Sequence, residues 1–258
     1  ICYHNAMKNT KKRNLKIRKY LIPACLVIAL LLIIKAIVFV AEYFSVPDAP
    51  DDGIDYPVRG IDVSHYQGDI DWPTLADQNI AFVFIKATEG SSHVDKNFEY
   101  NWEGATNTHL KVGAYHFMSF ESSGETQAEN FISNVPKESN SLPPVIDLEL
   151  YGDFISNHPS QETVDSIIQP MLQMLEDHYD KKPIIYTTSA LYEEYVKGNY
   201  DNDIWLADLS FPETLPDGSD WKFLQYSFEG KLEGYSGYLP HLDLNVYNGS
   251  KLDFVREY

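Results

Sequence analysis

The stretch Pro143-Pro144-Val145-Ile146-Asp147-Leu148-Glu149-Leu150 reads as a buried strand that ends in two carboxylates, two residues apart. Side chains alternate across a strand, so Asp147 and Glu149 project together from its apolar end. Apolar surroundings and a like-charged neighbour both raise a carboxyl pKa, and cleavage of a glycosidic bond needs one carboxyl protonated while another stays ionised. For an isolated D-x-E the plain alternative is a solvated or salt-bridged pair, so the motif is weighed by its company. Asp62 sits inside the apolar run of Arg59-Gly60-Ile61-Asp62-Val63-Ser64, and Asp243 in His241-Leu242-Asp243-Leu244-Asn245-Val246. Four acids at the ends of apolar strands, spread over about 180 residues, indicate one converging site. A barrel of parallel strands gathers distant strand ends on one face.

The elements that must position these acids follow from the hydrophobic pattern. Strands are predicted at 60–64, 81–86, 111–118, 143–149, 183–188, 203–207, 223–227 and 242–246, and helices at 73–78, 96–108, 124–135, 161–180 and 189–196. The early βα alternation points to a parallel sheet, whereas strands after about residue 200 follow one another with little helix between them. The expected fold is α/β: an irregular TIM-like β/α barrel of about five β/α units followed by strands with little helix, preceded by an N-terminal transmembrane helix. Four segments are expected: a basic cytoplasmic N-terminus (1–19), a transmembrane signal-anchor (20–41), an acidic, proline-containing linker (42–57) and a barrel domain that carries the four acids (58–258).

Residues 20–41 are apolar apart from Lys35, and as a helix would span roughly 33 Å, the thickness of a bilayer core. Lys35 lies near the C-terminal end, where it can snorkel to the interface. Seven basic residues precede Tyr20 and predict a cytoplasmic N-terminus with the barrel outside. The alternative is secretion after signal cleavage, although Phe39-Val40-Ala41 places a bulky residue where a cleavage site prefers a small one. Met7 reads as the start of the chain. The formal charge of −18 is unevenly spread: of 20 Lys and Arg, eight lie in residues 1–41 with no acid, leaving twelve against 38 acids and a net −26 for the rest. Such a domain excludes nucleic acid as a partner, because phosphates need cationic contacts. Both cysteines, Cys2 and Cys25, precede the barrel, so it holds neither a disulfide nor a cysteine metal site.

With these motifs assembled, the chain resembles the family 25 glycoside hydrolases, lysozymes acting as N-acetylmuramidases. The resemblance runs from about Arg59 to Gly249. It rests on Gly60-Ile61-Asp62-Val63-Ser64 with Tyr66-Gln67-Gly68, Ile85-Lys86-Ala87-Thr88-Glu89-Gly90, Gly113-Ala114-Tyr115-His116-Phe117 and Asp147-Leu148-Glu149. Tyr186-Thr187-Thr188, Trp205-Leu206-Ala207, Gln225-Tyr226-Ser227 and Asp243-Leu244-Asn245 complete it. It implies an irregular β/α barrel that hydrolyses the β-1,4 bond between N-acetylmuramic acid and N-acetylglucosamine in peptidoglycan, with retention through the 2-acetamido group. It further implies Glu149 as general acid, Asp147 as the residue that holds or polarises the acetamido group, and Asp62 and Asp243 as the rest of the acidic cluster. No cofactor is implied, and the partners are the peptidoglycan strand and, through the first helix, the membrane; the oligomeric state stays open.

Flat rings stack on pyranose faces, and Tyr66, Tyr115, Tyr186 and Trp205 lie at or near predicted C-terminal strand ends. From the residues alone, Tyr186 and Trp205 could equally be packing residues; the resemblance assigns all four, with Gln225, to substrate binding. Trp72, Trp102 and Trp221 read as structural, and Lys86 with Glu89 as a structural ion pair. His65 and His116 flank the expected site, but the histidines show no H-x-H, H-x-x-x-H or H-E-x-x-H spacing, so no metal is expected. No G-x-S-x-G elbow supports a serine hydrolase. Leu209, after the W-x-A segment, and Leu224 stand where relatives often carry aromatics, which bears on glycan preference. Two competing readings remain: a catalytically inactive barrel that binds peptidoglycan, and a hydrolase of chitin-like polymers.

Overall fold

The computed structural model describes residues 2–48, 53–238 and 241–258. The chain divides into two compact units, one ending at Ser45 and one running from Val46 to Tyr258. The first is a single helix, α1 (Cys2–Ser45). Its Ala24–Ser45 portion is long and apolar enough to cross a membrane. Of the predicted linker, Glu42–Ser45 complete α1, and residues 49–52 lie outside the described residues. The flanking segments are held within the second unit. Lys251 donates to the Val46 carbonyl at 3.0 Å and pairs with Asp48 at 2.6 Å, and Tyr56 packs against Phe211 and Trp221.

Eight strands close the barrel: β1 (Arg59–Val63), β2 (Phe82–Glu89), β4 (Lys111–Phe117), β5 (Val145–Asp147), β6 (Ile184–Thr188), β7 (Ile204–Ala207), β8 (Phe223–Gly230) and β9 (Leu242–Tyr247); the short β3 (His93–Val94) only pairs with β2. Neighbours from β1 to β8 run parallel, while β9 is antiparallel to both β8 and β1 and completes the circle. The expected barrel is therefore present, and its irregularity lies in the last strand. The helices are α2 (Trp72–Ala76), α3 (Phe98–Thr106), α4 (Gly124–Asn134), α5 (Gln161–Tyr179), α6 (Ser189–Leu191) and α7 (Lys251–Glu257). The predicted helix at 189–196 becomes α6 followed by a π turn over Tyr192–Val196. The sequence pattern does not predict β3 or α7.

Local chemistry explains these elements. Ser160 caps α5 by accepting from the Thr163 amide, and the helix buries Val164, Ile167, Ile168, Met171 and Leu175 at helical spacing. Inside the barrel aromatic rings fill the lumen: Phe84 stacks on Trp205 at 4.5 Å and meets Phe223 edge-on at 5.2 Å. Gly60 makes room for this filling, since a Cβ there would lie 2.3 Å from the Phe82 ring. Phe254 of α7 packs on Phe82, the first residue of β2, and so stops the N-terminal end of the barrel. The opposite end stays open for the four acids.

Candidate active site

The antiparallel direction of β9 decides the site. Its N-terminal residue pair lies at the end where β1 to β8 finish, so Asp243 stands directly opposite Asp62 in the β1–β9 register. Asp147 is the last residue of β5, and the Leu148 amide still bonds the Tyr186 carbonyl at 2.9 Å, which carries the extended geometry on to Glu149. Leu148 points into the core between the two acids. All four acids, with Tyr115, Tyr186, Trp205 and Gln225, line one cavity of about 110 Å³.

A chain of hydrogen bonds fixes Asp62. Its Oδ2 accepts from Gln225 Nε2 at 2.8 Å and from Asn245 Nδ2 at 2.7 Å. Gln225 Oε1 accepts from the Tyr186 hydroxyl and Asn245 Oδ1 from Trp205 Nε1, each at 2.7 Å. Trp205 is 2 % exposed and stacked on Phe84, and its indole N–H holds the amide that holds Asp62. Gln225 is spent in the same way, with both ends of its amide engaged inside the protein. Asp147 differs: its buried Oδ1 has no hydrogen-bond partner in the protein.

Burial and mutual repulsion raise every carboxyl in the cluster. Asp62 is driven well above the usual carboxylate range by burial and then by the charge of Asp243. Asp243, nearer solvent, is raised by burial to about 6, the increase restrained by its hydrogen bond with Asp62. The two carboxyls face each other across the β1–β9 pair. Asp147 is pushed well up by burial and by Glu149, with Lys86 pulling the other way. Glu149 is raised by burial and by Asp243, again opposed by Lys86. The Tyr115 and Tyr186 phenols, raised by burial and by these acids, stay protonated as hydrogen-bond donors. The site thus gathers four carboxyls that all hold their protons more tightly than usual, the setting in which a carboxyl can act as the acid in cleavage of a glycosidic bond.

A second cavity of about 300 Å³ adjoins the first, sharing Asp62, Tyr115 and Asp243 and adding Tyr66, Lys86, Phe228 and His241. Of the four predicted aromatic contacts, Tyr66 is the open platform at 45 % exposure; Tyr115 is half-buried, and Tyr186 and Trp205 are buried. The β8–β9 hairpin lies along the loop that carries Tyr66: the Gly237 amide donates to the Gln67 carbonyl at 2.7 Å, and Tyr238 meets the Tyr66 ring edge-on at 6.2 Å. A larger cavity of about 740 Å³ lies against α2 and α3, and none of the four acids lines it.

The two flanking histidines have protein partners. His65 Nδ1 lies 2.6 Å from the buried Asp95 carboxylate. His116, fully buried, sits between Thr88 Oγ1 at 2.7 Å and Gln127 Oε1 at 3.0 Å, and burial lowers its pKa to about 4. Among the described residues no group of His, Cys, Asp and Glu is placed to hold a metal ion. Trp72, Trp102 and Trp221 are buried in the fold. Sequence reasoning missed Asn245 as a site residue, although it lies two residues from Asp243 on the same face of β9, and it missed Phe228 and His241, whose hairpin has no periodic signal.

Comparison with known proteins agrees with this geometry. The family profile described as Glycosyl hydrolases family 25 matches residues 61–235. A solved family 25 glycosyl hydrolase from Bacillus anthracis is 48% identical, covers 81% of this chain and 96% of its own, and superposes with a TM-score of 0.75. Lysozyme M1 of Streptomyces globisporus is 34% identical over 75% of this chain and 68% of its own length. The uncharacterized protein YegX of Escherichia coli is 35% identical over 76% of this chain and 71% of its own.

Proposed function

The chain belongs to glycosyl hydrolases family 25, and from that premise we infer that it is a lysozyme cutting the β-1,4 bond between N-acetylmuramic acid and N-acetylglucosamine in peptidoglycan. The observation that carries the reading is the convergence of Asp147 and Glu149 with Asp62 and Asp243 on one cavity at the open end of the barrel. Glu149, half-buried with a raised pKa, suits the general acid that protonates the leaving oxygen. Asp147, with a carboxylate oxygen lacking any protein partner, suits the acceptor for the acetamido N–H of the muramic residue.

In the first step the acetamido carbonyl oxygen attacks the anomeric carbon, the glycosidic bond breaks, and the Glu149 proton passes to the leaving oxygen. In the second step Glu149 takes a proton from water, whose oxygen attacks the same carbon and reopens the oxazoline ring with net retention. Carboxyl separation predicts stereochemistry for ordinary retaining and inverting enzymes, and acetamido participation stands outside that rule. The Asp62–Asp243 pair keeps negative charge beside the reacting carbon and helps hold the proton on Glu149. The complete set of four carboxyls opposes the reading of an inactive peptidoglycan-binding barrel.

Action on a wall polymer is extracytoplasmic. Basic residues before the apolar Ala24–Ser45 portion of α1 support an anchor with the barrel outside. The test of function is digestion of purified peptidoglycan by the full chain in detergent, followed by labelling and identification of the new reducing ends. Muramic acid ends support the assignment; glucosamine ends or intact glycan overturn it.

A further inference from the structure

We propose that Lys86 is a positioning residue of this site: its ammonium, fixed at the groove wall by Glu89 and Phe117, supplies the positive charge that offsets the crowding of the Asp147–Glu149 pair. The inference rests on the assignment of those two acids to the reaction. Lys86 lies in β2, in register with Tyr115 of β4. Its Nζ donates to Glu89 Oε2 at 2.7 Å and sits 4.9 Å from the centroid of the Phe117 ring. Phe117 is in turn the register partner of Asp147 on β5. A held cation thus stands over the ring of the residue that pairs with Asp147. Among the described residues lining the two adjoining cavities, Lys86 is the sole Lys or Arg.

The ion pair is also oriented. The Lys86 side chain is 13% exposed and that of Glu89 43%, so the positive end lies inward and the negative end toward water. Water screens Glu89 more strongly than Lys86, and the pair acts on the site as a dipole with its positive end foremost. A surface ion pair that only tied down the end of β2 would contribute little stability, about 0–1 kcal/mol, and would have no reason to desolvate its cation.

The titratable groups around this ammonium come from several strands. Asp62 of β1, Tyr115 of β4, Asp243 of β9 and His241 line its cavity, and Glu89 of β2 bonds it. Asp147 and Glu149, with Tyr186 of β6, line the adjoining cavity, and His116 of β4 is buried between Thr88 and Gln127. Lys86 draws both Asp147 and Glu149 downward against their burial, whereas Glu89 pushes Asp147 upward. Lys86 therefore favours the ionised form of both acids against their burial, and Glu89 opposes it at Asp147.

The experiment compares the full chain with its Lys86→Gln, Lys86→Arg and Glu89→Gln variants in detergent. The carboxyl carbons of Asp and Glu are labelled with carbon-13 and titrated by NMR, and kcat/KM on peptidoglycan is measured against pH. Lys86→Gln moves the Asp147 and Glu149 midpoints, and the pH optimum, to higher pH. Glu89→Gln moves the Asp147 midpoint to lower pH, and Lys86→Arg stays close to wild type. A merely structural ion pair would give the same effect on removal of either partner; shifts in one direction, or none in folded protein, overturn the proposal. Should Lys86→Gln fail to fold, the downward shift in Glu89→Gln still decides. Titrations that shift as stated in a protein that leaves peptidoglycan intact would refute the muramidase assignment and keep the electrostatic role. Cleavage with unmoved titrations would refute the role of Lys86 alone.

Discussion

Replacing Asp243 by asparagine should make the protein more stable at neutral pH. The Asp243 carboxyl is raised from 3.8 to about 6 in the folded protein, chiefly by burial. The native state therefore holds a proton over a pH range in which the unfolded chain has released it. Stability falls as pH rises from about 4 through 6, and the whole penalty is present at pH 7 and above. Two units correspond to about 3 kcal/mol, and the partial exposure of the side chain reduces this to about 2 kcal/mol. An amide at 243 removes the penalty and still accepts the hydrogen bond from a protonated Asp62. For a barrel of this size the gain amounts to roughly 4–8 °C in melting temperature at pH 7–8. Thermal melting of wild type and Asp243→Asn, followed by near-ultraviolet circular dichroism between pH 3.5 and 8, measures it. The two curves should converge below pH 4 and separate as pH rises through 6. A variant no more stable than wild type at pH 8, or a gain that persists unchanged at pH 3.5, would refute the electrostatic account.

His116 carries the opposite sign. Its folded pKa of about 4 lies below the unfolded value of 6.5, so it contributes stability above pH 6.5 that is lost as pH falls toward 4, about 3 kcal/mol in all; His116→Gln should flatten that acid loss, and an unchanged acid slope in unfolding curves would contradict the assignment. Gly237 lies so close to the Tyr66 loop that a Cβ would be 2.1 Å from the Tyr66 carbonyl oxygen; Gly237→Ala should cost about 1–3 kcal/mol and raise KM for peptidoglycan more than it lowers kcat, and wild-type KM would show that the hairpin does not position Tyr66.

Much of this site was legible because strand periodicity is simple. Asp147 and Glu149 are two residues apart, so they had to share a face, and the acids inside the apolar runs at Asp62 and Asp243 marked two more strand ends. Their contact was not legible, because it depends on β9 running antiparallel to β1, and an apolar pattern is the same in either direction. Depth inside the barrel was equally hidden. Trp205, Tyr186 and Gln225 do line the cavity level with the acids, yet they are buried and spend their polar atoms on Asn245, Gln225 and Asp62. Asn245 carried a signal, its spacing of two from Asp243. The α7 helix carried one as well in the capping box of Ser250 and Asp253, but seven residues are too few for a clear helical period. The packing of Tyr238 against Tyr66 is a contact between loops and leaves no trace in either segment alone.

The account stands most directly on Glu149. Purified peptidoglycan should be digested by the full chain and by its Glu149→Gln variant, with folding of both checked by circular dichroism and the new reducing ends identified. The amide cannot donate the proton that the leaving oxygen needs, so turnover should fall by about 10²–10⁴-fold or more while the fold is retained. New muramic acid ends from the wild type alone are the predicted result. Comparable release by the folded variant would contradict the assignment of Glu149 as the general acid.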